Sequence, residues 1–192
     1  IHQSVEAVKR RTPPPAELLA VVIGHLRPEK DPFLPVRALA GVDPDRAIRI
    51  VHLGKALTTT AAREAARWMK QEPRYRWLGE VSHRRALQWL ARSDLLIHPS
   101  VMEGGAHVVS EAIGIGVPVI ASRIPGNTGL LGRRYPACFP VGDADALARL
   151  LQRAEDDPQW LRSLGDAVKA RRKLVVPATE HRALHALVRS LI

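Results

Sequence analysis

The chain has 192 residues, 46% hydrophobic and 25% charged, enough for one domain with a substantial core. No apolar run approaches ~18 residues and no signal peptide is visible, so a membrane span is not expected and a cytoplasmic location is. The net charge of +10 suits an anionic partner, or simply an arginine-rich chain from a GC-rich genome; the cations are scattered, with no run denser than Lys169 to Lys173, which argues against nucleic acid.

Residues 1–19, with Thr12-Pro13-Pro14-Pro15, read as a stiff extended linker between domains. Because the first residue is Ile1 rather than Met, the chain is expected to be part of a longer protein. Ala20 to Leu26 is an apolar run suited to a buried strand. Asp31-Pro32 signals a helix start, with apolar spacing at Phe33, Val36 and Leu39. Ala47 to Leu53 predicts a second strand, Thr58 to Gln71 a helix with Thr60 or a neighbour as cap, and Tyr75 to Leu78 a third strand. Ser82 caps a predicted helix to about Arg92, and Asp94 to Pro99 is the fourth strand. A helix over Gly105 to Gly116, a strand over Val117 to Ala121 and a short strand over Cys138 to Val141 follow. Beyond Asp143 only helices are predicted: Asp143 to Asp156, Pro158 to about Lys173, and Thr179 to Leu191. The alternation predicts an α/β domain over 20–175, a Rossmann-like parallel sheet of about six strands wrapped by helices on both faces, with a C-terminal helix over 176–192.

Such sheets bind ligands beyond the carboxyl ends of their strands, so the loops at 24–30, 54–58, 79–82, 100–105 and 122–129 matter most. The most informative lies in Glu103-Gly104-Gly105-Ala106-His107, with Glu111 eight positions after Glu103. Glycines at a helix start leave amides without internal partners, and an anion there gains hydrogen bonds and dipole stabilisation. Glu111 could accept both hydroxyls of a ribose, and Glu103 could hold sugar hydroxyls or face positive charge at an anomeric carbon. Ordinary helix-end acids would produce the same pair.

In the first loop, Gly24 permits close backbone approach, while Arg27 and Lys30 could hold a diphosphate. Taken alone, this loop reads more readily as a solvated one. The histidines are dispersed and read mostly as structural or surface groups, although a neutral His107 could donate to a sugar hydroxyl. Ser100 and Ser110 have no visible base, which disfavours hydrolase chemistry. With Cys138 as the only cysteine, no internal disulfide can form, and no zinc site or other metal is expected. The first loop lacks Gly-x-Gly-x-x-Gly, so a dinucleotide-binding domain is a poor fit.

Leu78-Gly79 to Ser122, with its Glu–seven residues–Glu pair and Gly116-Val117-Pro118-Val119, resembles the C-terminal domain of family 4 (group 1) glycosyltransferases of the GT-B fold. The resemblance extends from Val21 to about Asp156. It implies half of a two-domain enzyme that binds a nucleotide-sugar, a UDP-sugar favoured, needs no metal or other cofactor, and joins an N-terminal acceptor domain. By resemblance Glu111 would bind the ribose, Glu103 would be catalytic at the donor sugar, and backbone from Gly104 through Gly105 and Ala106 to His107 would meet sugar and diphosphate. Gly24, His25, Arg27 and Lys30 would face the diphosphate, and Glu80 and Val81 the base. The chain departs from the family at His25, where an arginine is usual, at Gly104-Gly105-Ala106 in place of Gly-Phe-Gly, and at Arg123 and Gly129, where acids are frequent. With His25 to Pro32 and Ser122 to Asn127, these departures are similar to the selenosugar synthases of selenoneine biosynthesis, implying selenophosphate as acceptor. A nucleotide-sugar epimerase of similar fold and a non-catalytic nucleotide-binding module remain the alternatives.

Overall fold

The computed structural model describes residues 10, 17–103, 106–176 and 189. Six strands form one sheet: β1 (Leu18–Ile23), β2 (Ile48–Leu53), β3 (Tyr75–Trp77), β4 (Leu95–His98), β5 (Val119–Ser122) and β6 (Cys138–Phe139). All pairs are parallel and the order is β3-β2-β1-β4-β5-β6, so chain direction across the sheet reverses between β1 and β4. Ala20, Val21, Leu95, Leu96, Ile97, Val119 and Ile120 are all fully buried. Neighbours along a strand point to opposite faces, so both faces of the sheet are covered, which is why these strands are continuous apolar runs.

The helices are α1 (Leu34–Ala40), α2 (Thr59–Gln71), α3 (His83–Arg92), α4 (His107–Ile115), α5 (Pro125–Leu131), α6 (Ala144–Asp156) and α7 (Pro158–Ala170). Four have side-chain caps: Thr58, two positions before the expected Thr60, accepts from the Ala61 amide, Ser82 from Arg85, Asp143 from Ala146 and Asp157 from Trp160. Helix α1 packs on α6, while α4 packs on both α3 and α7. Among the described residues no helix is long and apolar enough to cross a membrane.

Several boundaries differ from expectation. Strand β1 spans 18–23 rather than 20–26 because the chain turns at Gly24, yet Leu26 remains buried and bridges Ala56. Pro28–Lys30 forms a 3-10 turn ahead of α1, closed by Asp31 in the left-handed region at φ 39°. Segment 122–129, expected as loop, contains most of α5. Two glycines and a proline mask its helical character locally; tertiary contact supplies the stability, since Asn127 is fully buried and bonds back to Ser122. Helix α7 ends at Ala170, and a second 3-10 turn covers Arg172–Leu174. The helix expected at 179–191 and most of the 1–19 linker lie outside the described residues.

Candidate functional site

The reversal between β1 and β4 opens a crevice at their carboxyl ends. The loop after β1 is pinned by its neighbour. Gly54 has φ 154°, and a Cβ there would fall 1.9 Å from the Gly24 carbonyl oxygen, so the loops after β1 and β2 touch backbone to backbone. Beneath them His52 Nε2–H donates to the Gly24 carbonyl at 3.1 Å, while Nδ1 accepts from the Tyr75 hydroxyl at 2.9 Å. Complete burial lowers the His52 pKa to about 4, partly opposed by its bond to Gly24. The imidazole is therefore neutral and a fixed strut for the first loop.

The Lys55 amide donates to His25 Nδ1 at 3.1 Å. Arg27 is 46% exposed, with only a loose 3.9 Å pairing to Glu29. The Val101 amide donates to the Glu29 carbonyl at 2.9 Å, tying the loop after β4 to the loop after β1. The side chains make the same connection: Lys30 Nζ donates to Glu103 Oε1.

Glu103 is the centre of a buried polar cluster. Ser100 Oγ donates to its Oε1 at 3.0 Å, and His98 Nε2 lies 3.7 Å from that oxygen. Burial pushes the Glu103 carboxyl up, but the Lys30 bond and charge, Ser100 and His98 together outweigh it and hold the pKa below the ordinary range. His98 is 2% exposed and its Nε2 makes no hydrogen bond; desolvation first, then the Lys30 charge, lowers its pKa to about 4 despite Glu103. The floor of this cluster comes from β5 and α5. Ser122 Oγ donates to the Ser100 carbonyl, and Asn127 Nδ2 donates to the Ser122 carbonyl at 2.9 Å. A Cβ at Gly126 would sit 2.5 Å from the Glu103 carbonyl oxygen, so only glycine lets α5 approach this closely.

Glu111 lies one turn into α4 and is 5% exposed. Two imidazoles converge on its Oε1: His83 Nε2 at 2.6 Å, from the first turn of α3, and His107 Nε2 at 3.2 Å, from its own helix. Between the two clusters is a cavity of about 460 Å³, lined by Gly24, His25, Arg27 and Lys30 on one side and Glu80, Val81 and His83 on the other. Neither glutamate lines this cavity, but its wall residues Lys30 and His83 pair with Glu103 and Glu111, and its size suits a small ligand. A larger hollow of about 630 Å³, beside Phe33 and Leu57, is lined by neither Lys30 nor His83.

The structure thus brings together Gly24, His25, Arg27, Lys30, Glu80, Val81, Glu103, His107 and Glu111. Ala106 is buried at the N-cap of α4. Gly104 and Gly105 lie outside the described residues. Sequence reading passed over His83 and His98 as dispersed histidines, and missed the supporting roles of Ser100, Ser122, Gly126 and Asn127. Only the four-residue spacing of His107 and Glu111 signals contact from sequence alone. His83 becomes visible only once α3 is known to pack on α4.

An open parallel sheet whose strand order reverses beside β1, with a cavity at the carboxyl ends of β1 and β2, defines a doubly wound α/β domain. Residues 5–188 match the family Glycosyl transferases group 1, and the chain belongs to that family. It is 32% identical over 172 residues to D-inositol 3-phosphate glycosyltransferase of Corynebacterium glutamicum (strain R), covering 82% of this chain and 40% of that protein. It is 28% identical over 152 residues to GDP-mannose-dependent alpha-mannosyltransferase of Mycobacterium tuberculosis, covering 76% of this chain and 38% of that one. Anabaena Alr3699/HepE in complex with UDP superposes with a TM-score of 0.79 at 21% identity, over 91% of this chain and 49% of that chain. The chain therefore spans about two fifths of the curated relatives and half of the solved structure, and the fold is one half of GT-B.

Proposed function

We propose that this chain is the donor-binding half of a metal-independent GT-B glycosyltransferase, transferring a sugar from a nucleotide-diphosphate sugar to an acceptor nucleophile. The observation that carries the reading is the cavity at the carboxyl ends of β1 and β2, with Arg27, Lys30 and His83 on its wall, Lys30 paired to Glu103 and His83 to Glu111. In this scheme Glu111 accepts the ribose hydroxyls and the turn at Glu80 and Val81 meets the base. Glu103, ionised and fixed by Ser100 and Lys30, faces the donor sugar. As the bond from the anomeric carbon to the diphosphate breaks, charge collects on the leaving oxygen. Lys30 and Arg27 are the groups we assign to it, joined by the 104–107 backbone on the family resemblance alone, and such electrostatic preorganisation generally dominates catalysis of this kind.

A UDP-sugar is the donor we favour, on the sequence resemblance; hexosyl and N-acetylhexosaminyl groups both fit the scheme. The acceptor site is assigned to an N-terminal domain beyond this chain, linked through residues 1–19, with the 176–192 helix packing on the sheet domain or toward that partner. Selenophosphate is the acceptor suggested by 25–32 and 122–127, and an anionic acceptor suits the basic balance. We place the reaction in the cytoplasm. The isolated fragment should bind nucleotide weakly and not turn over.

The test is a calorimetric panel of UDP-, GDP- and ADP-sugars on the intact protein, repeated with Glu111→Gln. Each charge-assisted bond to a ribose hydroxyl contributes roughly 1.5–3 kcal/mol, so the variant should bind at least tenfold more weakly. Unchanged affinity would refute the ribose assignment, and an epimerised free nucleotide-sugar among the products would replace transfer with epimerisation.

A further inference from the structure

The environment of Glu111 holds more than a ribose-binding carboxylate requires. Helix α3 opens at His83, directly after its Ser82 cap, and α4 opens at His107, four residues before Glu111. Positions four apart share a helix face, and α3 packs against α4, so both imidazoles face one carboxylate from two elements. Their Nε2 atoms lie 2.6 and 3.2 Å from the same Oε1, and one donor atom from each of the three residues falls within 4.8 Å of the others. The rings are tilted 38° to one another with centroids 6.3 Å apart.

We propose that His83, His107 and Glu111 form a binding site for a transition-metal ion, zinc favoured, beside the cavity that His83 lines. Two imidazole nitrogens and one carboxylate oxygen are a set that zinc accepts with its fourth position open to water, whereas magnesium and calcium prefer oxygen ligands. Bonds of 2.0–2.1 Å place neighbouring tetrahedral ligands about 3.3 Å apart, inside the range these atoms already span. The carboxylate side chain is 7% exposed, while the His83 and His107 side chains are 61% and 48% exposed, so an ion can reach all three from the solvent side. His83 stands outside every residue role the donor scheme requires, and the metal site gives it one.

The consequence for activity rests on the donor reading above. An ion on Glu111 Oε1 takes one of the two oxygens assigned to the ribose and brings His83 and His107 over the carboxylate, so metal and nucleotide compete. The site is inhibitory rather than catalytic, and transfer itself proceeds without the metal.

The test uses the intact protein, stripped with a chelator and titrated with zinc chloride against a chromophoric zinc indicator; cobalt(II) then reports coordination through its visible absorption. We expect one equivalent of zinc. His83→Ala and His107→Ala should each weaken it at least tenfold and abolish the cobalt spectrum, with circular dichroism confirming the fold. The sequence has a single His-x-x-x-His pair, His181 and His185, which is an alternative zinc ligand set, so His181→Ala is the control. No zinc binding, equal binding by the His83 and His107 variants, or a loss that follows His181→Ala instead would each overturn the metal site. Nucleotide titrations with and without one equivalent of zinc separate the two claims. Zinc held by these residues without effect on nucleotide affinity upholds the metal site and refutes the ribose at Glu111. Nucleotide binding in a protein that takes no zinc refutes only the metal site.

Discussion

Two fully buried neutral histidines should make this domain sensitive to mild acid. His52 and His98 both titrate near pH 4 in the folded chain, mainly through desolvation, against about 6.5 when unfolded. A depressed pKa means that the unfolded chain takes up the proton first. The stability each contributes is complete above pH 6.5 and is lost as pH falls through that value toward 4. Between pH 7 and pH 5 the linkage amounts to about 2 kcal/mol per histidine, or about 4 kcal/mol for the pair. That is a large part of a typical 5–15 kcal/mol stability, and about 10 °C in Tm for a domain of this size. Glu72 and Glu103, held low by their cationic partners, stay ionised over this window, while Asp94, raised by burial, trims the effect slightly. Urea unfolding at pH 7 and pH 5 measures the loss directly. His52→Gln, which can keep hydrogen bonds to Tyr75 and Gly24 without titrating, should remove about half of the pH dependence. Equal stability at the two pH values, or an unaltered slope in that variant, would refute the argument.

Gly54→Ala should cost about 3 kcal/mol or more, read as a lower urea midpoint, because its Cβ would collide with the Gly24 carbonyl and the backbone there is one that only glycine adopts readily. Gly126→Ala should leave the Tm within several degrees yet weaken nucleotide-sugar binding by about tenfold or more in calorimetry, since the clash falls on the backbone of Glu103. Arg74→Ala should destabilise by about 2–4 kcal/mol in urea unfolding without changing nucleotide affinity. Its guanidinium bonds the Glu72 carboxylate and the carbonyls of Leu39, Val42 and Asp43, far along the chain from both glutamates.

The central strands β1, β4 and β5 were readable because they are buried on both faces and form nearly unbroken apolar runs between turn signals, and the predicted starts at Thr58, Ser82 and Asp143 marked three helices to within a residue. What escaped was held by contacts distant in sequence. Helix α5 depends on Asn127 reaching Ser122 and on Gly126 pressing against Glu103, and nothing within Pro125–Leu131 announces either. The site shows the same division. Its glutamates, glycines and Lys30 follow from spacing and strand ends, whereas His98 gives no local sign of its closeness to Glu103. His83 is separated from Glu111 by 28 positions, and their meeting depends on the packing of α3 on α4.

The paired state of both glutamates bears on how a donor would bind. Glu103 is already satisfied by Lys30 and Ser100, and Glu111 by two imidazoles. A nucleotide-sugar therefore cannot gain the full strength of its contacts with these carboxylates; it gains only the difference between its own hydroxyls and the partners it displaces. For Glu103 the exchange is favourable in a particular way. In the proposed donor scheme a diphosphate would draw the Lys30 charge to itself, and the vacated carboxylate, clustered with neutral His98, would become a stronger acceptor for a sugar hydroxyl because its compensating cation has moved. On that scheme diphosphate binding prepares Glu103 for the sugar, and a nucleoside monophosphate, lacking the second phosphate to draw Lys30 away, would leave Glu103 closed.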